Sequence, residues 1–330
     1  MLQTQASLSI LVESPPLVSY GLPKDSTGAL LNGIFRFAVH APFVFAKEFR
    51  LELMSDIRTK RPIKSDCLKC ISRKSILYAW NFLPLTTPSR LKMAQGAHDY
   101  PFSCLMPGNL AASTDSSLAS IEYRLVGTFV PTKGSPIVVS EPITLSRAII
   151  PGNDRIFQRV FPPTPVTARI VIPNTLHPLF RVEMKLTITG LAEEVSTWKL
   201  RKIIWRIEEL STVFSPPCPS HSRAASASGV LSEDERTIGS GEIRKGWKPS
   251  NNNTYVLETE ISTMGDISCD VESSAGISVS HRLIIEAYVL EVKNATGFTG
   301  NARILRMQCS IIITNPSGMG IPWDMEIPPT

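Results

Sequence analysis

Val182-Glu183-Met184-Lys185-Leu186-Thr187-Ile188 alternates apolar and polar side chains without a break. In an extended chain successive side chains point to opposite faces, so this spacing lines Val182, Met184, Leu186 and Ile188 along one face. A helix would scatter the same residues around its circumference. The segment is therefore a strand with one face in a core. Working outward, the same period of two returns at Ala168/Ile170/Ile172 and Ile203/Trp205/Ile207, then at Leu283/Ile285/Ala287/Val289 and Leu305/Met307/Cys309/Ile311/Ile313. Toward the N-terminus it recurs at Leu8/Ile10/Val12, Phe35/Phe37/Val39, Phe49/Leu51/Leu53 and Ile121/Tyr123/Leu125.

Between these runs lie clusters such as Ser14-Pro15-Pro16, Pro23 to Gly28 and Met106-Pro107-Gly108-Asn109, whose residues favour turns. The 26 prolines and 19 glycines fit many turns and few long helices, so the fold class is all-β. A chain of 330 residues is too long for one efficient core, which predicts two lobes. Residues 149–165, with Pro151-Gly152-Asn153-Asp154 and Pro162-Pro163-Thr164-Pro165, have a composition that resists helix and ladder alike. This predicts a β-sandwich over 1–148, a linker over 149–165 and a second β-sandwich over 166–330. Within the second lobe, about 215–253 is rich in Ser, Pro, Gly and charge without periodicity, and is expected to be a long mobile loop. Its Arg223-Ala224-Ala225-Ser226 has the basic-then-serine form of a kinase site at Ser226.

The formal charge of +5 is modest, and no nucleic-acid motif accompanies it, so nucleic acid is not an expected partner. Acidic peptide segments or an anionic membrane surface suit it better. Apolar runs such as Ile311-Ile312-Ile313 fall far short of the roughly 18 residues that cross a bilayer. Met1-Leu2-Gln3-Thr4-Gln5 lacks the basic start of a secretory signal, so a cytoplasmic protein is expected. Six cysteines are too few for a disulfide scaffold and read as reduced thiols.

Nothing in the sequence has the form of a catalytic constellation: there is no Walker loop, no H-E-x-x-H and no G-x-S-x-G. Glu208 and Glu209 are adjacent on a strand, which sends them to opposite faces and rules out a paired-carboxylate site. The chain is thus read as no enzyme, with no cofactor. The best chemical candidate is Cys67-Leu68-Lys69-Cys70, a weak metal pattern that would need His98 and Cys104 as third and fourth ligands; ordinary reduced thiols are the simpler expectation. The stretch around it carries Arg58, Lys60, Arg61, Lys64, Lys69, Arg73 and Lys74 against Asp66 alone, a basic surface suited to an acidic cytoplasmic tail or anionic lipid. His281 and Trp198, Trp205 and Trp247 read as structural.

Several segments together resemble one family. Glu13-Ser14-Pro15-Pro16 with Tyr20-Gly21, Ser26 to Gly33, and Gly96-Ala97-His98-Asp99-Tyr100-Pro101-Phe102-Ser103 followed by Pro107-Gly108 look like the N-terminal lobe of fungal arrestin-related trafficking adaptors (alpha-arrestins), in the low-dye-binding subfamily. Arg159 to Thr164, Trp198 to Glu209, Ser280 to Leu283 and Arg303 to Met307 are similar to the same group, so the resemblance covers nearly the whole chain. It implies two tandem sandwiches joined by a short hinge. It further implies an adaptor that binds plasma-membrane transporters and recruits a HECT-type ubiquitin ligase through WW domains, acting in the cytoplasm and at the plasma membrane, Golgi or endosomes. The recruiting element in that family is P-P-x-Y, and Pro328-Pro329-Thr330 is the lead-in to such a motif without its tyrosine, as expected of a truncated product. A structural sorting coat of the retromer type shares the fold and is the alternative function.

Overall fold

Strands β1 (Ala6–Val12) and β2 (Leu17–Tyr20) precede a 31-residue strand, β3 (Ala29–Thr59), that organises the first half of the chain. The computed structural model describes residues 6–83, 91–178, 181–191, 196–218, 229–250, 254–293 and 299–316. After β3 come the one-turn helix α1 (Leu68–Ile71), β4 (Ser72–Asn81), β5 (Leu91–Met106), β6 (Thr114–Asp115), β7 (Ala119–Pro131), β8 (Ile137–Ile143) and β9 (Leu145–Ala148). The first part of β3 pairs with β1 and β5, and its second part with β4 and β7. The β1 pairing ends at Val39, the β5 ladder shifts register between Val39 and Phe43, and β5 gives way to β7 at Ala46. Pro42 stands within that register shift, and a proline, which cannot donate to a ladder, suits such a corner.

Turning the corner folds β3 over its own core. Phe35 stacks on Phe49 with ring centroids 5.1 Å apart, and Phe37 lies 4.4 Å from Phe129 of β7. All four rings are fully buried, as the alternation Phe35/Phe37 and Phe49/Leu51/Leu53 requires. Strands β2 and β9 form a separate parallel ribbon beside this sheet.

The second half continues with β10 (Arg155–Val160), β11 (Thr167–Ile172), β12 (Val182–Thr189), β13 (Ser196–Ser215), β14 (Val230–Ile243), β15 (Lys248–Ser250), β16 (Thr254–Ile261), β17 (Val271–Ser273), β18 (Ile277–Lys293) and β19 (Thr299–Ile311). Strands β10-β11-β12-β16-β15 make one five-stranded sheet, and β13, β14, β17, β18 and β19 make another. Ile170, Leu186, Trp205, Leu283, Ile285 and Met307 are buried in the core they share. The fold is all-β and of sandwich type, as expected; α1 is the only helix among the described residues. No described helix is long and apolar enough to cross a membrane.

Two expectations need correction. Residues 230–243, expected within a mobile loop spanning 215–253, form β14, which pairs along β13 from Ser215 to Ile203. This strand is held by ladder hydrogen bonds and cross-strand charges rather than by apolar alternation, so periodicity missed it. The 149–165 connection, expected to take no ladder, contains β10, an edge strand paired with β11 over Arg155 to Val160. Its partner supplies the hydrogen bonds that its own composition does not advertise. Ser226, Pro328, Pro329 and Thr330 lie outside the described residues.

Arg147 locks the turns at one end of the first lobe. Its buried guanidinium donates to the carbonyls of Gly21 at 2.8 Å, Gly108 at 2.6 Å and Leu110 at 2.8 Å. The turns it gathers interlock closely. A Cβ at Gly108 would stand 2.0 Å from the Ser26 carbonyl oxygen, and one at Gly28, where φ is +94°, would stand 2.0 Å from that of Met106. Only glycine fits either place. Arg147→Met leaves three carbonyls without their donor and is expected to cost about 2–4 kcal/mol in urea denaturation. Arg147→Lys recovers only part, because one ammonium cannot reproduce the planar fork; full recovery by lysine would contradict this role.

Candidate functional site

The ends of β3 and β13 meet, and this brings residues from both lobes together. Thr59 Oγ1 lies 3.2 Å from Ser215 Oγ, which also donates to the Arg61 carbonyl at 3.2 Å. Nearby, Arg73 donates to the Ala275 carbonyl at 2.8 Å, and Ser268 Oγ donates to the Asp115 carbonyl at 3.1 Å. On another side of the junction Thr314 Oγ1 donates to the Arg147 carbonyl at 3.0 Å and accepts from the Ile149 N–H at 3.1 Å. Beneath these polar contacts, Val213, Val271, Ile277 and Val279 of the second lobe pack into the core of the first.

The basic segment borders this junction, and all seven of its cationic side chains are exposed. Their tasks differ. Arg58 holds Asp56 through two bonds of 2.8 and 3.0 Å, and Ser72 Oγ donates to the same carboxylate at 2.6 Å. Burial pushes the Asp56 carboxyl up, but the bonds from Arg58 and Ser72 outweigh it and hold it below the usual carboxylate value. Lys60 donates to Asp115 at 2.7 Å and to the Ser116 carbonyl at 2.6 Å. With Arg73 bound to Ala275, the residues on this surface with no described hydrogen bond or ion pair from their charged ends are Arg61, Lys64, Lys69 and Lys74.

The cysteine grouping differs from the one expected. His98 and Cys104 lie on β5, paired opposite Phe37 and Leu31. The His98 ring is 2.9 Å from the Ala94 carbonyl, and Cys104 sits in the first-lobe core, where burial pushes its thiol up to about 11. Neither joins Cys67 and Cys70. Cys218 does: its Sγ is 3.9 Å from that of Cys67, and the Sγ atoms of Cys67, Cys70 and Cys218 all lie within 4.8 Å of one another. All six cysteines are described, and no disulfide joins any of them. The C-x-x-C spacing marked two members of the group, while Cys218, inside Pro216-Pro217-Cys218-Pro219, carried no signal of its own.

Glu208 and Glu209 point to opposite faces of β13, as their adjacency requires. Glu208 binds Arg206 and Arg282, each at 2.6 Å. Glu209 turns inward, fully buried, and accepts from Arg236 at 2.8 and 2.9 Å and from the Ser268 N–H at 3.2 Å. His281 completes the inner group: its Nδ1 is 2.5 Å from Asp270, and its Nε2 faces Glu209 at 3.6 Å, a charge contact too long for a hydrogen bond. Burial favours a neutral Glu209, yet the neighbouring His281 and Arg236 overcome it and hold the carboxyl at about 2. For His281 burial favours the neutral ring, but the two carboxylates raise its pKa above the ordinary value. These groups make an ionic cluster in which Glu209 and His281 are buried, Arg236 and Asp270 reach the surface, and His281 Nε2 has a charge contact but no hydrogen bond.

Two antiparallel β-sandwich lobes with a packed junction and mostly structural charges define an arrestin-like protein. More particularly, the chain belongs to the LDB19 family, described as arrestin N-terminal like, which it matches over residues 49–225. It is 38% identical to "Uncharacterized protein C18H10.20c" of Schizosaccharomyces pombe over 98% of this chain and 92% of that protein. It is 34% identical to "Uncharacterized protein C1F12.05" of the same yeast over 98% of this chain and 85% of that one. To "Protein LDB19" of Eremothecium gossypii it is 31% identical over 73% of this chain, which corresponds to 37% of that longer protein.

The inner charges set the pH response of stability. A raised His281 pKa contributes fully below about pH 6.5 and is lost as pH rises through the folded value. A Glu209 held at about 2 contributes above its ordinary value of 4.5 and is lost as pH falls toward 2. The melting temperature should therefore decline on both sides of a plateau near pH 5–6. His281→Gln should lower the plateau by about 1–3 kcal/mol and flatten the alkaline limb; an unchanged alkaline limb contradicts this assignment.

Proposed function

We propose that this chain is a non-catalytic trafficking adaptor that binds plasma-membrane nutrient transporters and brings a HECT-type, WW-domain ubiquitin ligase to them. Ubiquitylation of the cargo then directs it into endocytosis. Membership of the LDB19 family is the observation that carries the adaptor reading. Work of this kind takes place in the cytoplasm, with recruitment to the plasma membrane, Golgi or endosomes. A rigid sandwich suits it, because it holds loops in place for a partner without needing a reactive centre.

The basic surface is the proposed cargo contact. Arg61, Lys64 and Lys69 have their charged ends available, Lys74 is exposed but also acts on Asp56 across the ladder, and Arg58, Lys60 and Arg73 are already bound within the protein. Exposed cations attract acidic peptide segments over several ångströms and lose that attraction in salt. An acidic cytosolic segment of a transporter is thus the favoured ligand, and an anionic membrane surface would compete for the same charges.

Reversing Arg61, Lys64 and Lys69 to glutamate spares the structural cations, among them Lys74, whose charge acts on Asp56 across the β3–β4 ladder, and is expected to weaken binding to acidic transporter segments about tenfold or more, with a smaller salt dependence. Binding equal to that of the unaltered chain overturns this surface. For the ligase, co-purification of a WW-domain HECT enzyme with the chain and its transporter from cells supports the proposal. Capture of transporters with no such ligase contradicts that half of it.

A further inference from the structure

Cys67, Cys70 and Cys218 have no part in the adaptor reading, yet their placement is specific. The first two come from one turn of the first lobe. Cys67 sits at the start of α1, and its carbonyl accepts from the N–H groups of Cys70 at 2.9 Å and Ile71 at 3.1 Å. That tight turn sets the two thiols on one side of the backbone, as residues three apart on a helical turn must be. The third comes from the second lobe, 151 residues further along, just beyond the end of β13. Cys70 and Cys218 are buried, at 7% and 5% exposure, while Cys67 is half-buried.

The sulfur spacing fits a metal better than a disulfide. Four-coordinate zinc has bonds of about 2.3 Å to thiolate, which puts neighbouring sulfurs of a tetrahedron about 3.8 Å apart. Here the Cys67–Cys218 separation is 3.9 Å, and no pair in the group exceeds 4.8 Å. A disulfide needs about 2.05 Å. Charge agrees with this preference: three thiolates with one divalent zinc carry one net negative charge, and Lys69 lies between Cys67 and Cys70 in sequence, with Lys64 and Arg73 a few residues to either side. In sequence Cys218-Pro219-Ser220-His221 repeats the four-residue donor spacing of Cys67-Leu68-Lys69-Cys70. Residues 219–221 lie outside the described residues and are not counted in the site.

We propose that Cys67, Cys70 and Cys218 bind one zinc ion that ties the α1 turn of the first lobe to the end of β13 in the second. The metal is structural. It stands beside the Thr59–Ser215 and Arg73–Ala275 contacts and reinforces the junction that they and the buried apolar side chains form. Binding exchanges thiol protons for metal–sulfur bonds, releasing those protons to solvent, and involves no oxidant.

Elemental analysis of the full chain, purified under reducing conditions, tests this directly. About one zinc per chain is expected, and cobalt in its place should give the intense visible absorption and sulfur charge-transfer bands of a tetrahedral thiolate centre. Cys218→Ser and Cys70→Ser should bind zinc at least about tenfold more weakly, while Cys269→Ser keeps full occupancy. Because a serine variant could fail to fold, the unaltered chain carries a second readout: a zinc chelator should lower its melting temperature, and added zinc should restore it. A chain that contains no zinc and takes up none after reduction overturns the proposal. So does a Cys67–Cys218 or Cys70–Cys218 disulfide as the dominant state of the native protein.

Discussion

Burial of four second-lobe side chains in the core of the first lobe holds this architecture together. Val213, Val271, Ile277 and Val279 come from β13, β17 and β18, which belong to the second-lobe sheet, yet they pack with Leu31, Phe35 and Leu53 in one continuous cluster. Burying an aliphatic side chain of this size contributes about 1.5–3 kcal/mol, and each hydrogen bond across the junction a net 0.5–1.5 kcal/mol or so. The apolar contact therefore dominates, while the bonds at Thr59–Ser215, Arg73–Ala275 and Ser268–Asp115 set direction and register. The arrestin-like sandwich fold that the family resemblance implied stands, with a seam in which one sheet contributes to two cores.

That seam decides what the surrounding charges do. Asp56, Asp115 and Glu209 lie close to it, and each pairs with a partly exposed cation: Arg58, Lys60 and Arg236 respectively. Glu209 and His281, at the centre of the ionic group with Arg236 and Asp270, are buried because β13, β14 and β18 pass side by side at that level. Removing one member would strand the others, which is costly, even though an apolar replacement of the whole group could be equally stable. The basic segment is thus two sets of residues in one stretch of sequence. One set, Arg58, Lys60 and Arg73, is bound within the protein, and the other, Arg61, Lys64, Lys69 and Lys74, is the surface proposed above for an acidic partner.

How much of this could be read from the sequence follows the range of the forces involved. Strands such as 182–188 or 35–39 announce themselves because alternation is a local consequence of having one buried face. The separation of Glu208 from Glu209 onto opposite faces was legible for the same reason. Strand β14 was not, because Glu235, Arg236 and Glu242 are held by Arg282, Glu209 and Lys202 from other strands, a stabilisation that only tertiary pairing supplies. The cysteine group shows the same limit more sharply. Cys67 and Cys70 were marked by spacing, but His98 and Cys104 face elsewhere and the third thiol arrives from a proline-rich segment of the other lobe. Contacts between the ends of long strands leave no periodic trace.

Calorimetric unfolding of the full chain, alone and with Ile277→Ala, tests the shared seam most directly. If second-lobe side chains complete the first-lobe core, the chain unfolds in one cooperative transition, and Ile277→Ala moves that whole transition to lower temperature. Two resolved transitions, only one of which moves in the variant, would show that the lobes hold separate cores and would contradict the account.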